Sequence, residues 1–230
     1  MTATNRRLLV VAAVAVVGYL LVSGRLISRT NGLFLAVLVP SVILHEVSHG
    51  AVAYVFGDDT AKRAGRLTLN PIRHIDPFGT VILPAMLVLA GAPAFGYAKP
   101  VPVNVRRLRR PRDHGLLVSL AGPVTNLALV ALATVLYRAG RPHGTALDLV
   151  LLLGEANLLL ALFNLLPLPP LDGSAIVERM LPAEWWPGWL KLRQYAMPLL
   201  LLLLLVAPPS LSFGRLFYPV LRFWSRTFLT

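Results

Sequence analysis

Residues 32–56 read GLFLAVLVPSVILHEVSHGAVAYVF, an apolar run of lipid-crossing length that carries His45, Glu46 and His49 in its second half. On a helix, His45 and His49 stand one turn apart on the same face, close enough to share a metal ion. Glu46 lies beside them, in reach of a water at that ion. In a water-soluble protein this pattern would already point to a zinc hydrolase. Here the flanks, Leu33 to Leu44 and Ala51 to Phe56, are almost wholly apolar, and three ionisable side chains in such a segment are expensive. Metal binding is the reason that best accounts for them.

The rest of the chain sets the same scene. Of its 230 residues, 56% are hydrophobic and only 14% charged, a balance typical of polytopic membrane proteins rather than soluble domains. The length suits one compact helical domain spanning 1–230, without a substantial soluble module. The net charge of +12 resides in short stretches between apolar runs. That is how topology signals and contacts with anionic headgroups are distributed, so the expected partner is the lipid bilayer and not nucleic acid. With no cysteine, disulfides and thiolate zinc sites are excluded, and any metal site must use His and carboxylates. Abundant Ala, Leu, Val, Arg and Pro point to a GC-rich bacterial genome.

Arg6 and Arg7 precede the apolar run Leu8 to Val22, and no small-x-small cleavage site follows it. It reads as a retained first helix with a cytoplasmic N-terminus. Gly32 to Phe56 is the second helix. Gly57 to Pro77 is polar, and Arg66 to Asn70 alternates before a turn-forming Asn70-Pro71, so a short strand or hairpin is expected there. Leu116 to Tyr137, Ala146 to Leu168 and Trp189 to Val206 read as spans. Arg215 to Leu229 mixes Phe, Tyr and Trp with Arg, which makes 208–230 an interfacial segment.

Phe78 to Pro93 decides the topology. If it crossed the membrane, the loops on either side would face opposite compartments. One holds Lys62, Arg63, Arg66 and Arg73; the other holds Lys99, Arg106, Arg107, Arg109, Arg110 and Arg112. Both therefore belong in the cytoplasm, and the segment, broken by Pro84 and Gly91, reads as re-entrant. The expected fold is an all-α polytopic membrane protein of five to six transmembrane helices, with a re-entrant segment and a short β-hairpin-like element after the metal helix.

Catalytic zinc takes three protein ligands, so a third His, Asp or Glu is needed at the same depth. Asp172 follows the prolines that end the Ala146 to Leu168 span. With one crossing between them, that span runs parallel to the metal helix, and both ligand-bearing ends face the cytoplasm. Glu155, mid-span on the same helix, lies too far along the axis and is read as a protonated or hydrogen-bonded interhelical carboxyl. His74 and Asp76 could reach the site from the cytoplasmic side in a supporting or gating role, or simply build a capped turn. His114 and His143 flank spans and are read as solvated, and Asp58 and Asp59 as ending the metal helix.

These residues carry a resemblance. His45 to His49 on a membrane helix, Gly122-Pro123-Val124-Thr125-Asn126 opening the next span and Asn164 through Gly173, in that order, resemble the site-2 protease family of intramembrane zinc metalloproteases. Asn70 to Thr80 and Ala98 to Asn104 resemble a bacterial branch of it. The likeness runs from about His45 to Gly173, within an expected core of 33–173. It implies one Zn2+ held by His45, His49 and Asp172, with Glu46 as catalytic acid and base. It also suggests Asn164 near the substrate or oxyanion, and a structural or substrate-side duty for Asn126. The implied partners are single-span membrane proteins cleaved near the cytoplasmic face of the cell membrane. The PDZ-like insertion and the CBS-like pair of other branches have no counterpart. Three other readings stand beside this one: a metal-ion carrier, an inactive member that only binds membrane helices, and a bundle whose histidines serve interhelical hydrogen bonds.

Overall fold

The run with the paired histidines forms α1 (Arg29–Val55), a helix apolar on nearly every side, as expected for a segment surrounded by lipid and other helices. The computed structural model describes residues 29–83, 86, 96–206 and 213–229. After α1 come a single helical turn α2 (Thr60–Arg63), a 3-10 turn (Pro71–His74), a π-helical turn (Pro77–Ile82) and a second 3-10 turn (Val105–Arg107). Then follow α3 (Pro111–Gly140), α4 (Thr145–Asn164), α5 (Ser174–Met180), a 3-10 turn (Ala183–Trp185), α6 (Trp186–Val206) and α7 (Phe213–Phe228). Among the described residues, three helices are long and apolar enough to cross a membrane: α1 from Gly32 to Val55, α3 and α4. At 1.5 Å per residue α4 is about 30 Å long, the thickness of a hydrocarbon core.

These three form one bundle, with each packed on the other two. Its directions follow from particular contacts. At one end, Arg29 of α1 meets Thr145 and Asp148 of α4, each at 2.9 Å, so the two helices start together and run parallel. At the other end, His49 of α1 reaches the Val118 carbonyl near the start of α3, which runs the opposite way. Pro111 opens α3 at a position where no N–H is needed, and Arg141, in the left-handed region at φ 41°, ends it.

Residues 96–104 form an irregular strap over the C-terminal half of α1. The Tyr97, Lys99, Val101 and Asn104 N–H groups donate to the Gly79 carbonyl, the His74 carbonyl, Glu46 Oε2 and Asp58 Oδ2, respectively. Arg66, almost fully buried, donates through Nη2 to the Lys99 carbonyl at 2.6 Å. The strap is packed so closely that a Cβ on Gly50 would lie 2.7 Å from Leu67 Cδ2 and 2.8 Å from Val101 Cγ1. Asp58 is not a mere helix stop. Wholly buried, it accepts from Asn104 N, Thr60 N and Thr60 Oγ1, and so ties the strap to the end of α1.

The hairpin expected after the metal helix does not form: no strand occurs among the described residues, and Arg66 to Asn70 is irregular. The segment that passes beside it carries Pro100 and Pro102, which have no N–H for a ladder, and Arg66 spends itself on the strap carbonyls instead. Leu8 to Val22 and most of Phe78 to Pro93 lie outside the described residues; the first residues of the latter belong to the π-helical turn, capped by Asp76. The expected span Trp189 to Val206 falls within α6. In the C-terminal segment, α7 docks on the bundle through Trp224, which is buried with Val130 and Leu158 and donates Nε1–H to Thr134 Oγ1 at 3.0 Å. Gly154 of α4 lies against that indole, where a Cβ would have no room.

Candidate metal centre

Helical spacing puts the His45 and His49 rings edge to face, with centroids 4.7 Å apart. Asp172 completes the group. The chain leaves α4 through Pro167, Pro169 and Pro170, and the loop closes when Gly173 N–H donates to the Asn164 carbonyl at 2.6 Å. A Cβ on Gly173 would collide with the Leu165 carbonyl, so glycine is required for this turn. Asp172 Oδ2 then lies 3.1 Å from His45 Nε2 and 3.4 Å from His49 Nε2. The ligand atoms all fall within 4.8 Å of one another, in a group with both histidines buried. Measured along α1, His45 is about 15 Å from the end of the helix at Val55.

Hydrogen bonds behind the rings determine what the front atoms offer. His49 Nδ1 faces the Val118 carbonyl at 2.7 Å, and a carbonyl only accepts, so Nδ1 carries a hydrogen and the neutral ring has its lone pair on Nε2. His45 Nδ1 faces Asn126 Oδ1 at 2.6 Å with the same result. With both rings neutral, three electron-pair donors converge: the two Nε2 atoms and Asp172 Oδ2, a buried oxygen without a hydrogen-bond partner among the described residues. Such a set needs a positive centre between its members. Gly122 of α3 leaves the room, because a Cβ there would stand 2.5 Å from Nε2 of both histidines. Two imidazoles and a carboxylate, without thiolate, suit zinc with a fourth position open. Glu46, partly buried next to this group, accepts the Val101 N–H on Oε2 at 2.8 Å.

Three relatives share this chain's make-up. It is 49% identical over 154 residues to the "Putative zinc metalloprotease YwhC" of Bacillus subtilis (strain 168), covering 63% of this chain and 67% of that one. It is 35% identical over 190 residues to the "Putative zinc metalloprotease Rip2" of Mycobacterium tuberculosis (strain ATCC 25618 / H37Rv), covering 79% and 70%. The Rip2 of Mycolicibacterium smegmatis (strain ATCC 700084 / mc(2)155) is 32% identical over 183 residues, covering 77% and 69%. The chain belongs to the site-2 protease family. No family model matches the chain, and no solved structure matches it. As a member of the site-2 protease family it is a metalloprotease of the membrane, with a group suited to one zinc ion.

The other residues singled out in the sequence fall elsewhere. Asn126 is fully buried behind His45, with its Nδ2 donating to Asn157 Oδ1 at 2.8 Å, so both ends of its amide face protein. Asn164 donates Nδ2 to the Leu160 carbonyl at 3.0 Å. His74 is buried, with Nε2 on the Thr68 carbonyl at 2.8 Å, and Asp76 accepts from Phe78 N and Gly79 N. Both are engaged in the turns below the strap, and neither is in the metal group. Glu155 is exposed on α4, without a hydrogen bond to another helix among the described residues. His114 stacks on Phe56 with ring centroids 4.0 Å apart.

Sequence reasoning passed over Gly122 as a site residue, the Val118 carbonyl, the Val101 N–H, and the pair Ser41 and Asn157. Of these, Asn157 had a signal: an amide in an otherwise apolar span needs a partner, the argument that drew attention to Glu155. Backbone groups such as Val101 N–H leave no mark in a sequence.

Proposed function

We propose that this member of the site-2 protease family is a zinc-dependent endopeptidase that cleaves transmembrane helices of single-span proteins near the cytoplasmic side of the cell membrane. The observation that carries the proposal is the convergence of His45, His49 and Asp172 beside Glu46, about 15 Å inside the end of a helix of spanning length. A carrier would need ligands spread along a path through the membrane; here they gather at one depth. The parallel course of α1 and α4 supports a cytoplasmic site, five spans, a re-entrant Phe78 to Pro93 and a cytoplasmic N-terminus, since both basic loops then lie on one side.

His45, His49 and Asp172 would hold the ion. When bound, zinc supplies a Lewis acid that polarises the scissile carbonyl and makes water a better nucleophile at neutral pH. Glu46 takes the proton of the attacking water and returns it to the leaving amine. The Val101 N–H occupies one oxygen of this carboxylate, keeps it from swinging away and leaves the other for the proton. Asn164, with one amide hydrogen on the Leu160 carbonyl, has a second for the developing oxyanion. The substrate helix must unwind locally, because its carbonyls are otherwise hidden in internal hydrogen bonds.

The test uses purified protein reconstituted with a panel of single-span proteins. Glu46→Gln should keep one zinc per chain and lose cleavage by about 10²-fold or more. Equal rates for wild type and Glu46→Gln would sink the mechanism. Cleavage of soluble peptides but of no membrane-embedded helix would remove the intramembrane part. Exchangeable metal with flux across liposomes would favour the carrier.

A further inference from the structure

Behind the metal group, in the water-poor interface of α1, α3 and α4, four polar side chains form a continuous relay in which every link has only one possible direction. Ser41 Oγ donates to the Val37 carbonyl at 2.8 Å. Asn157 Nδ2 donates to the Leu153 carbonyl at 2.8 Å and to Ser41 Oγ at 2.9 Å. Both carbonyls can only accept, and the serine has spent its hydrogen on one of them. The nitrogen end of the Asn157 amide is therefore fixed, and its Oδ1 must face Asn126. Asn126 answers with Nδ2–H at 2.8 Å, which turns its own Oδ1 to His45 Nδ1 at 2.6 Å. Asn126 and Asn157 are both fully buried, so each depends on the other and on its protein neighbours for its hydrogen bonds.

We propose that Asn157 is a positioning residue for the metal: through Asn126 it holds His45 in the tautomer that points a bare Nε2 at Asp172, although it touches neither metal nor substrate. An amide is symmetric in shape but not in polarity. Without Asn157, Asn126 is free to turn over and present its NH2 to His45 Nδ1; the hydrogen then moves to Nε2 and the ligand is lost. His49 needs no such relay, because a backbone carbonyl meets its Nδ1 directly and cannot turn over. The inference rests on the zinc reading above.

The experiment measures zinc affinity of the purified full chain by chelator competition, together with thermal melting of the metal-free protein. Asn157→Leu should weaken zinc by about 10- to 100-fold. Asn157→Asp, which still offers Asn126 an acceptor, should stay within about threefold of wild type. Adding Asn126→Asp to Asn157→Leu should regain most of the loss, since a carboxylate at position 126 has no wrong end. If Asn157 served packing alone, the order would reverse: leucine would bind nearly as tightly as wild type, the buried aspartate would be worst, and the double variant would gain nothing. Any of those results overturns the relay. Should Asn157→Leu not fold, Asn157→Asp decides against wild type, and a loss of about tenfold or more refutes the proposal. A wild-type chain that holds no zinc overturns the metal reading itself, before the relay is reached.

Discussion

Gly122→Ala should weaken zinc binding by more than about 100-fold while hardly changing the fold. The added Cβ would lie 2.5 Å from Nε2 of both His45 and His49. Ordinary contact needs at least 3.4 Å, so each ring must withdraw by about 1 Å or turn aside. Turning aside strains, without breaking, the bonds that hold the rings, His45 to Asn126 and His49 to Val118, at a cost of about 1 kcal/mol each. Against this, alanine in a helix interior is better than glycine by about 1 kcal/mol. Metal-free protein should therefore lose no more than about 1 kcal/mol. Zinc is far less forgiving, because its bonds to nitrogen hold near 2.0–2.1 Å with a tolerance of about 0.2 Å. Two of three ligands displaced by about 1 Å, with a methyl group in their midst, should lower affinity by more than about 100-fold, beyond what the loss of a supporting hydrogen bond does. Zinc per chain, chelator competition and metal-free melting of wild type and variant read these quantities together. A variant that keeps one zinc at wild-type affinity would refute the geometry. So would a large fall in metal-free melting temperature, because the opposing contributions predict near balance.

Two further outcomes follow from the strap. Burial pushes the Asp58 carboxyl up, but hydrogen bonds from the Thr60 hydroxyl, Asn104 N–H and Thr60 N–H, with the Arg107 charge, outweigh it and hold the group below the usual carboxylate range. Its stabilisation is then complete above the unfolded value of about 3.9 and is lost as pH falls through the lower folded value. Asp58→Asn should lower stability at neutral pH by about 1–3 kcal/mol and flatten the acid limb of a melting-against-pH curve; an unchanged acid limb would count against this role. Gly50→Ala would push against Val101 and Leu67, loosen the Val101 N–H from Glu46 and slow cleavage by about tenfold, a loss of roughly 1.4 kcal/mol in transition-state stabilisation. Zinc content should stay at the wild-type value, and a parallel loss of zinc would show that the strap acts on the ligands instead.

Much of the site could be read from residue types and spacing because helical geometry is local. His45 and His49 share a face wherever a helix forms, and Gly32 to Val55 has no alternative to a helix in lipid. Asp172 was within reach because counting crossings settles which helix ends lie together, and Arg29 beside Asp148 shows α1 and α4 starting side by side. The hairpin at Arg66 to Asn70 failed for a physical reason: alternation says that a segment can present two faces, but not that a neighbour has N–H groups to pair with. Pro100 and Pro102 removed them.

By itself, then, the sequence determined a membrane helix bundle with two histidines and a glutamate on one helix and an aspartate at a matching helix end. Apolar length, helical period and chain direction act within a segment or between consecutive ones, so they are visible without coordinates. Tertiary structure alone decided which atoms of those residues are available. Which nitrogen of His45 is bare depends on an amide on α3, whose direction depends on an amide on α4, which is held in turn by carbonyls on α4 and α1. Room for an ion depends on a missing side chain at Gly122, and the orientation of Glu46 depends on a backbone N–H 55 residues away. Polarity and empty space arise between segments, and only packing specifies them.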